Sequence, residues 1–209
     1  MFSVIFPGQG SQIVGMGKDL YLKFGIVKNL FSEADEILNF PISKLVLEGP
    51  KNELDLTENT QPAIFLVGYS IFQLIKKEFN IDLNKANFFA GHSLGEYSAL
   101  VCAESLNFHD ALYLLHERGK AMQEAVPLGK GAMIAVLGVK IDEVRGFIQK
   151  FQKDITGVCE IANDNAEGQV IISGDKKSVD SFQNYLKENK IKFIPLRVSA
   201  PFHCSLMQP

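Results

Sequence analysis

The chain has 209 residues, 46% hydrophobic and 22% charged, and 21 basic against 24 acidic side chains leave a net charge of −3. Apolar material for a sizeable core excludes a mainly disordered chain, and the near balance of charge gives no whole-chain attraction to nucleic acid or to an anionic membrane. Length alone allows one large domain, or one domain carrying a smaller one.

Phe2 to Phe6 is a short apolar run closed by Pro7-Gly8, which predicts a buried first strand. Gly8 to Gly17 is a glycine- and glutamine-rich loop. Helices are predicted around Gly25 to Leu38 and Pro41 to Leu47. A long apolar helix opens at Gln61-Pro62 and runs to about Phe79, with proline near its first turn. Asn87 to Ala90 predicts a second short strand ending at Gly91, and Ser93 to Glu104 a helix. Asn107 to Ala125 predicts another, with Asn107 as its cap and Asp110 three residues on.

After Pro127-Leu128-Gly129 the pattern changes. Ala132 to Val136 predicts a strand, Ile141 to Phe151 a helix, and Val158 to Ala162 a strand. Asn163-Asp164-Asn165 predicts a turn and Gln169 to Ser173 a strand. Ser178 to Asn189 then predicts a helix, and Ile191 to Val198 a strand. This β-α-β-β-α-β order is that of a ferredoxin-like unit. The expected organisation is a larger α/β domain, residues 1–127 and 199–209, interrupted by an insertion at 128–198.

Three scattered cysteines, Cys102, Cys159 and Cys204, without a C-x-x-C, suggest neither a disulfide framework nor a zinc site. The N-terminus has no basic region followed by a long apolar stretch. The most apolar run, Ala63 to Ile75, is interrupted by Gly68, Tyr69, Ser70 and Gln73 and falls short of the about 20 residues a bilayer span needs. A cytoplasmic protein, not a membrane one, is expected.

Gly91-His92-Ser93-Leu94-Gly95 fits G-x-S-x-G between a predicted strand and a predicted helix. A sharp strand-to-helix turn exposes the serine hydroxyl, and flanking glycines let backbone approach closely. The helix N-terminus brings unpaired N–H groups and positive dipole to the oxygen, so the Leu94 N–H becomes one oxyanion donor. The bland alternative is a glycine-flanked turn whose serine merely caps a helix.

Gly8-Gln9-Gly10-Ser11-Gln12-Ile13 departs from a dinucleotide fingerprint, because Ile13 stands at the third glycine position. No dinucleotide site is expected. The loop either supplies a second oxyanion donor from the Gln9 backbone or only joins a strand to a helix.

Arg118 shares a helical stripe with Ala111, Leu114, Leu115, Met122 and Ala125, and no carboxylate lies three or four residues away. A core-facing guanidinium needs an anion, which is a ligand, a distant Asp or Glu, or water reached by snorkelling.

A serine nucleophile needs a base. His92 lies inside the elbow, and His109 and His116 are expected to face solvent. His203, in a loop after the last strand, is the better candidate. Cys204 is a rival nucleophile without a local feature that would lower its pKa.

Phe6-Pro7-Gly8-Gln9-Gly10-Ser11-Gln12, Gly91-His92-Ser93-Leu94-Gly95-Glu96-Tyr97, Arg118-Gly119 with Met122-Gln123, and Ala200-Pro201-Phe202-His203 occur in order. Together they closely resemble the malonyl-CoA:acyl-carrier-protein transacylases, and the acyltransferase domains of polyketide synthases look similar. The resemblance implies an α/β-hydrolase-like core with a parallel sheet and a ferredoxin-like insertion. It implies that Ser93 is acylated by malonyl-CoA, that His203 is general base and then acid, and that the Gln9 and Leu94 N–H groups hold the oxyanion. It further implies that Arg118 grips the malonyl carboxylate, while Met122 and Phe202 line the acyl pocket. The implied partners are malonyl-CoA and phosphopantetheinylated acyl carrier protein, with no bound cofactor or metal.

Family chains continue well past the histidine, and the group that orients the ring comes from that later segment. The expectation is therefore that the C-terminal part of the core is missing here and that the 209-residue chain alone is poorly folded or weakly active. Rapid, complete malonylation of Ser93 would overturn that. The alternatives are a serine thioesterase or esterase, which needs an acid such as Asp142, Asp154, Asp164, Asp175 or Asp180 and no Arg118, and a fragment that only binds carrier protein.

Overall fold

The structure is a computed structural model that describes residues 1–152, 156–196 and 198–208. By contacts the chain divides into two units, Met1–Lys120 and Ala121–Pro209.

In the first unit, strand β1 (Ser3–Phe6) pairs in parallel with β2 (Phe88–Gly91), from Ser3 opposite Phe88 to Phe6 opposite Gly91. Helices α1 (Lys18–Lys23), α2 (Gly25–Leu38), α3 (Ile42–Glu48), α4 (Lys51–Leu54) and α5 (Thr57–Glu78) lie between the two strands in sequence, and α6 (Gly95–Cys102) and α7 (Phe108–Ala125) follow. The core gathers Phe31 from α2, Ile42 and Val46 from α3, Phe65 and Leu66 from α5, and Leu112 and Leu115 from α7. Tyr69 and Phe108 stack with ring centroids 5.0 Å apart, joining α5 to α7. The predicted cap of α7 is present, since Asn107 Oδ1 accepts from the Asp110 N–H at 2.8 Å.

Three expectations change. Helix α5 begins at Thr57, four residues before the predicted start, with Pro62 inside it. Proline removes only the bond to the Glu58 carbonyl, and side chains brace the start: Asn59 Nδ2 donates to Glu53 O at 2.9 Å and Thr60 Oγ1 to Leu56 O at 3.0 Å. Short helices α1 and α4 carry too few periodic positions to be read from sequence. Strand β1 is not buried: Phe6 is, but Ile5 is 75% exposed, and Phe88 on the adjoining strand is 68% exposed. Side chains alternate across the ladder, so an apolar run buries both faces only where both are covered.

In the second unit, β3 (Gly131–Leu137), α8 (Ile141–Phe151), β4 (Cys159–Ala166), β5 (Gln169–Asp175), α9 (Lys176–Glu188) and β6 (Lys192–Pro195) follow the βαββαβ order. The sheet is antiparallel, with strand order β4-β5-β3-β6, the ferredoxin-like arrangement. Period-2 alternation sorts its faces. Ile134, Val136, Val170 and Ile172 meet Val144 and Ile148 of α8 and Val179, Phe182 and Leu186 of α9, while Met133, Ala135 and Ile171 pack with Ala200 and Phe202. The predicted turn at Asn163-Asp164-Asn165 is strand instead. Two bulges absorb it, after Ile161 and after Asp164, and the reversal falls at Glu167-Gly168, where Gly168 supplies φ 78. The predicted last strand is shorter, and Arg197 within it lies outside the described residues, as do Asp154 and Pro209.

Candidate active site

Strand β2 ends at Gly91, and the chain turns into α6 through His92, Ser93 and Leu94. Ser93 sits at φ 54, the left-handed region that costs an L-residue roughly 1–2 kcal/mol. Surrounding backbone holds it there. A Cβ on Gly91 would come within 1.9 Å of Gly95 C, and one on Gly95 within 2.7 Å of Phe6 O and 2.8 Å of Pro7 O. Only glycine at both positions lets the elbow close against the end of β1.

The next amides are used: Gly95 N–H donates to His92 O, Glu96 N–H to Ser93 O and Tyr97 N–H to Leu94 O. The Leu94 N–H is not among the donors of this ladder. The loop after β1 packs on the same elbow, since a Cβ on Gly8 would lie 2.6 Å from His92 Nδ1. Gln9 follows directly, and its Oε1 accepts from Thr57 Oγ1 at 2.9 Å.

Arg118 reaches this elbow from α7. Its Nη2 donates to Ser93 Oγ at 3.0 Å and its Nη1 to Gln61 Oε1, and the guanidinium stands 6.0 Å from the centre of the Tyr97 ring. Burial lowers its pKa, with Tyr97 and Glu96 pulling the other way. Among the described residues no Asp or Glu forms an ion pair with it. The sequence left three partners open for this cation; the structure gives it neutral ones. Gly119 allows the approach, because a Cβ there would meet Glu58 Cα at 2.4 Å and Thr57 O at 2.7 Å. The predicted apolar stripe of α7 is displaced: Leu114 is 43% exposed and Leu112 takes its place in the core. His116 is also not solvent-facing as predicted. Its side chain is 14% exposed, and burial, with Lys120, lowers its pKa.

In the second unit, Met122 and Phe202 meet in one apolar cluster with Met133 and Ala135. His203 follows Phe202 in an exposed turn at φ 58. The segment after it is tied to β4, where the Glu160 carboxylate accepts from Ser205 N–H at 2.8 Å and Ser205 Oγ at 2.7 Å. Gln123 Nε2 donates to Ser199 O at 3.3 Å ahead of the turn. Cys204 is buried and its Sγ donates to Pro201 O; burial raises its pKa, so it is no rival nucleophile.

Several acids weighed for a hydrolase triad are engaged elsewhere. Asp142 pairs with Arg145 and Asp180 with Lys176. Asp175 caps α9 through Ser178 N–H and accepts from Val158 N–H at 2.6 Å. Burial pushes its pKa up, but bonds from Ser178 and Val158 outweigh that and hold it below the ordinary value. Asp164 lies on the exposed end of β4, and Asp154 is outside the described residues.

Sequence reasoning missed Thr57 and Gln61, both buried polar residues one helical turn apart. The available signal was a glutamine on the buried face of an otherwise apolar helix.

The elbow serine is thus hydrogen-bonded to a half-buried arginine that has no acidic ion-pair partner among the described residues. The acyl transferase domain family matches residues 3–209. The chain belongs to that family. It is 46% identical over 206 residues to the malonyl CoA-acyl carrier protein transacylase of Bacillus subtilis, covering 98% of this chain and 63% of that protein. The enzyme of the same name from Haemophilus influenzae is 43% identical over 209 residues, covering all of this chain and 66% of that protein. The crystal structure of FabD from Acinetobacter baumannii superposes with a TM-score of 0.92 at 43% identity, over 100% of this chain and 65% of that one. The acyl transferase chain described here thus spans just under two thirds of the relatives it matches.

Proposed function

We propose that this acyl transferase chain carries the acyl-transfer centre of a malonyl-CoA:acyl-carrier-protein transacylase. The observation that carries the reading is the Arg118 guanidinium, held by Gln61 and donating to Ser93 Oγ at 3.0 Å. A malonyl group esterified to Ser93 bears its free carboxylate only three bonds from Oγ, where a planar cation can meet it with paired N–H bonds. Acetyl has no such group, so the same contact selects for malonyl.

In this mechanism Ser93 Oγ attacks the thioester carbonyl of malonyl-CoA while His203 takes its proton. The oxyanion of the tetrahedral intermediate lies on the Gln9 and Leu94 N–H groups. The carbon–sulfur bond breaks, and the CoA thiolate takes the proton from His203. The phosphopantetheine thiol of acyl carrier protein then attacks the serine ester in the same way, and Ser93 regains its proton. Water must be kept from the ester for the thiol to win. Met122 and Phe202 line the acyl chain in this reading. In this reading no cofactor takes part. A cytoplasmic site of action suits soluble CoA and carrier-protein substrates. Two relatives bearing the transacylase name support the substrate assignment, as does a structural neighbour at 39% identity that is a malonyl-transacylase in complex with a type II PKS acyl-carrier protein.

The test is intact-mass detection of malonyl-Ser93 after mixing with malonyl-CoA, followed by transfer to holo carrier protein. Ser93→Ala should abolish labelling and His203→Ala should slow it. Arg118→Ala should lose malonyl-CoA use while keeping or raising acetyl-CoA use. Unchanged acyl selectivity in that variant would sink the carboxylate anchor and favour a serine hydrolase.

A further inference from the structure

Four side chains link the oxyanion loop to the arginine. Arg118 donates to Gln61 Oε1, Gln61 Nε2 donates to Thr57 Oγ1 at 3.0 Å, and Thr57 Oγ1 donates to Gln9 Oε1 at 2.9 Å. The polarity of the first two links of this chain is not free to vary. A guanidinium only donates, so Gln61 must turn its oxygen to Arg118 and its NH2 to Thr57. The Thr57 oxygen then accepts, and its single proton is left for Gln9. Each link is oriented by the positive charge at one end, and such aligned bonds strengthen one another.

Burial makes the chain matter. Thr57 is 0% and Gln61 1% exposed, so neither can replace a lost partner with bulk water. Thr57 lies opposite Gly119 of α7, where an added Cβ would come within 2.7 Å of Thr57 O.

We infer that Thr57 is a positioning residue that joins the acyl-selecting Arg118 to the oxyanion loop at Gln9, so that one hydrogen-bonded chain sets both the carboxylate grip and the Gln9 N–H. The inference rests on the roles proposed above for Arg118 and Gln9. It extends them to a residue that touches neither substrate nor oxyanion.

Wild type, Thr57→Val, Thr57→Ser and Gln9→Met are compared by two rates at Ser93. One is acylation by malonyl-CoA; the other is reaction with a fluorophosphonate probe, which needs the oxyanion donors but carries no carboxylate. Thr57→Val should slow the probe about tenfold and malonyl-CoA by more, because both ends of the chain loosen. Thr57→Ser keeps the hydroxyl and should return both rates to within about twofold of wild type. Gln9→Met keeps the Gln9 backbone N–H and removes the side-chain amide that accepts from Thr57, and should repeat the loss with the probe. If Thr57→Val does not fold, Gln9→Met decides alone.

Probe rates within about twofold of wild type in Thr57→Val and Gln9→Met, or a Thr57→Ser variant as slow as Thr57→Val, overturn the inference. A wild-type Ser93 that takes the probe but not malonyl-CoA overturns the substrate reading alone, and the probe rates still judge Thr57. A wild-type Ser93 that does not take the probe overturns both.

Discussion

Ser93 and Arg118 show how far a single residue can be read. The serine was legible because its neighbours in sequence make its geometry: two glycines, a strand before and a helix after. Its φ of 54 leads to a prediction that separates strain from chemistry. Ser93→Gly and Ser93→Ala both lose the hydroxyl and its bond to Arg118, but only glycine relaxes at positive φ. Ser93→Gly should therefore be more stable than Ser93→Ala by about 1 kcal/mol in urea unfolding; equal stabilities would mean that the elbow is not strained. The cysteines give a second prediction. Burial pushes the Cys102 thiol up to about 12, with Lys76 opposing, and the Cys159 thiol up to about 12. Iodoacetamide at about pH 8 should leave both unmodified in the folded chain and label both in denaturant. The sign of the pH effect follows. Unfolded thiols ionise near 9.0, so from there to about 12 the unfolded chain holds fewer protons. The stability contribution of the two thiols should be intact below about pH 9 and fall as pH rises through that window.

Among elements, the start of α7 was legible in the sequence, and α5 is the more instructive. Asn107 and Asp110 mark the start of α7 locally, whereas the first turn of α5 looks polar in sequence and is buried in the structure. Thr57, Asn59, Thr60 and Gln61 are all buried there, each taking hydrogen bonds that only neighbouring segments and side chains supply. The contact at Gly119 fixes how α7 meets that turn. Gly119→Ala should destabilise the chain by about 1–3 kcal/mol through overpacking, read as a lowered Tm. With the role proposed for Arg118, the preceding residue, it should also weaken acyl selectivity; an unchanged Tm would mean that the two backbones can part without cost. Strand β1 errs in the opposite direction. Its apolar run reads as buried, but a run of residues cannot show whether a second face is covered.

On the scale of the whole molecule, the βαββαβ order was readable because each of its elements carries its own period and its own turn. The two units also differ in how their sheets are held. Strands β3 and β5 are each paired on both sides, with cores against both faces of the sheet. Among the described residues β1 pairs only with β2. Hydrogen exchange should therefore be slowest at Val170 to Ser173 and faster by at least about tenfold along β1; equal protection would show the β1–β2 ladder to be as well held as the second sheet. The glycine-flanked serine elbow, the loop beside it, the lack of a carboxylate three or four residues from Arg118 and the order of the second unit could all be read from the sequence, because each is encoded within one helical turn or one strand. Only the tertiary structure decided that Arg118 is held by Gln61 and Ser93, and Gln9 by Thr57. Those partners stand 57, 25 and 48 residues apart, and hydrogen bonds over such separations depend on packing that no local pattern records.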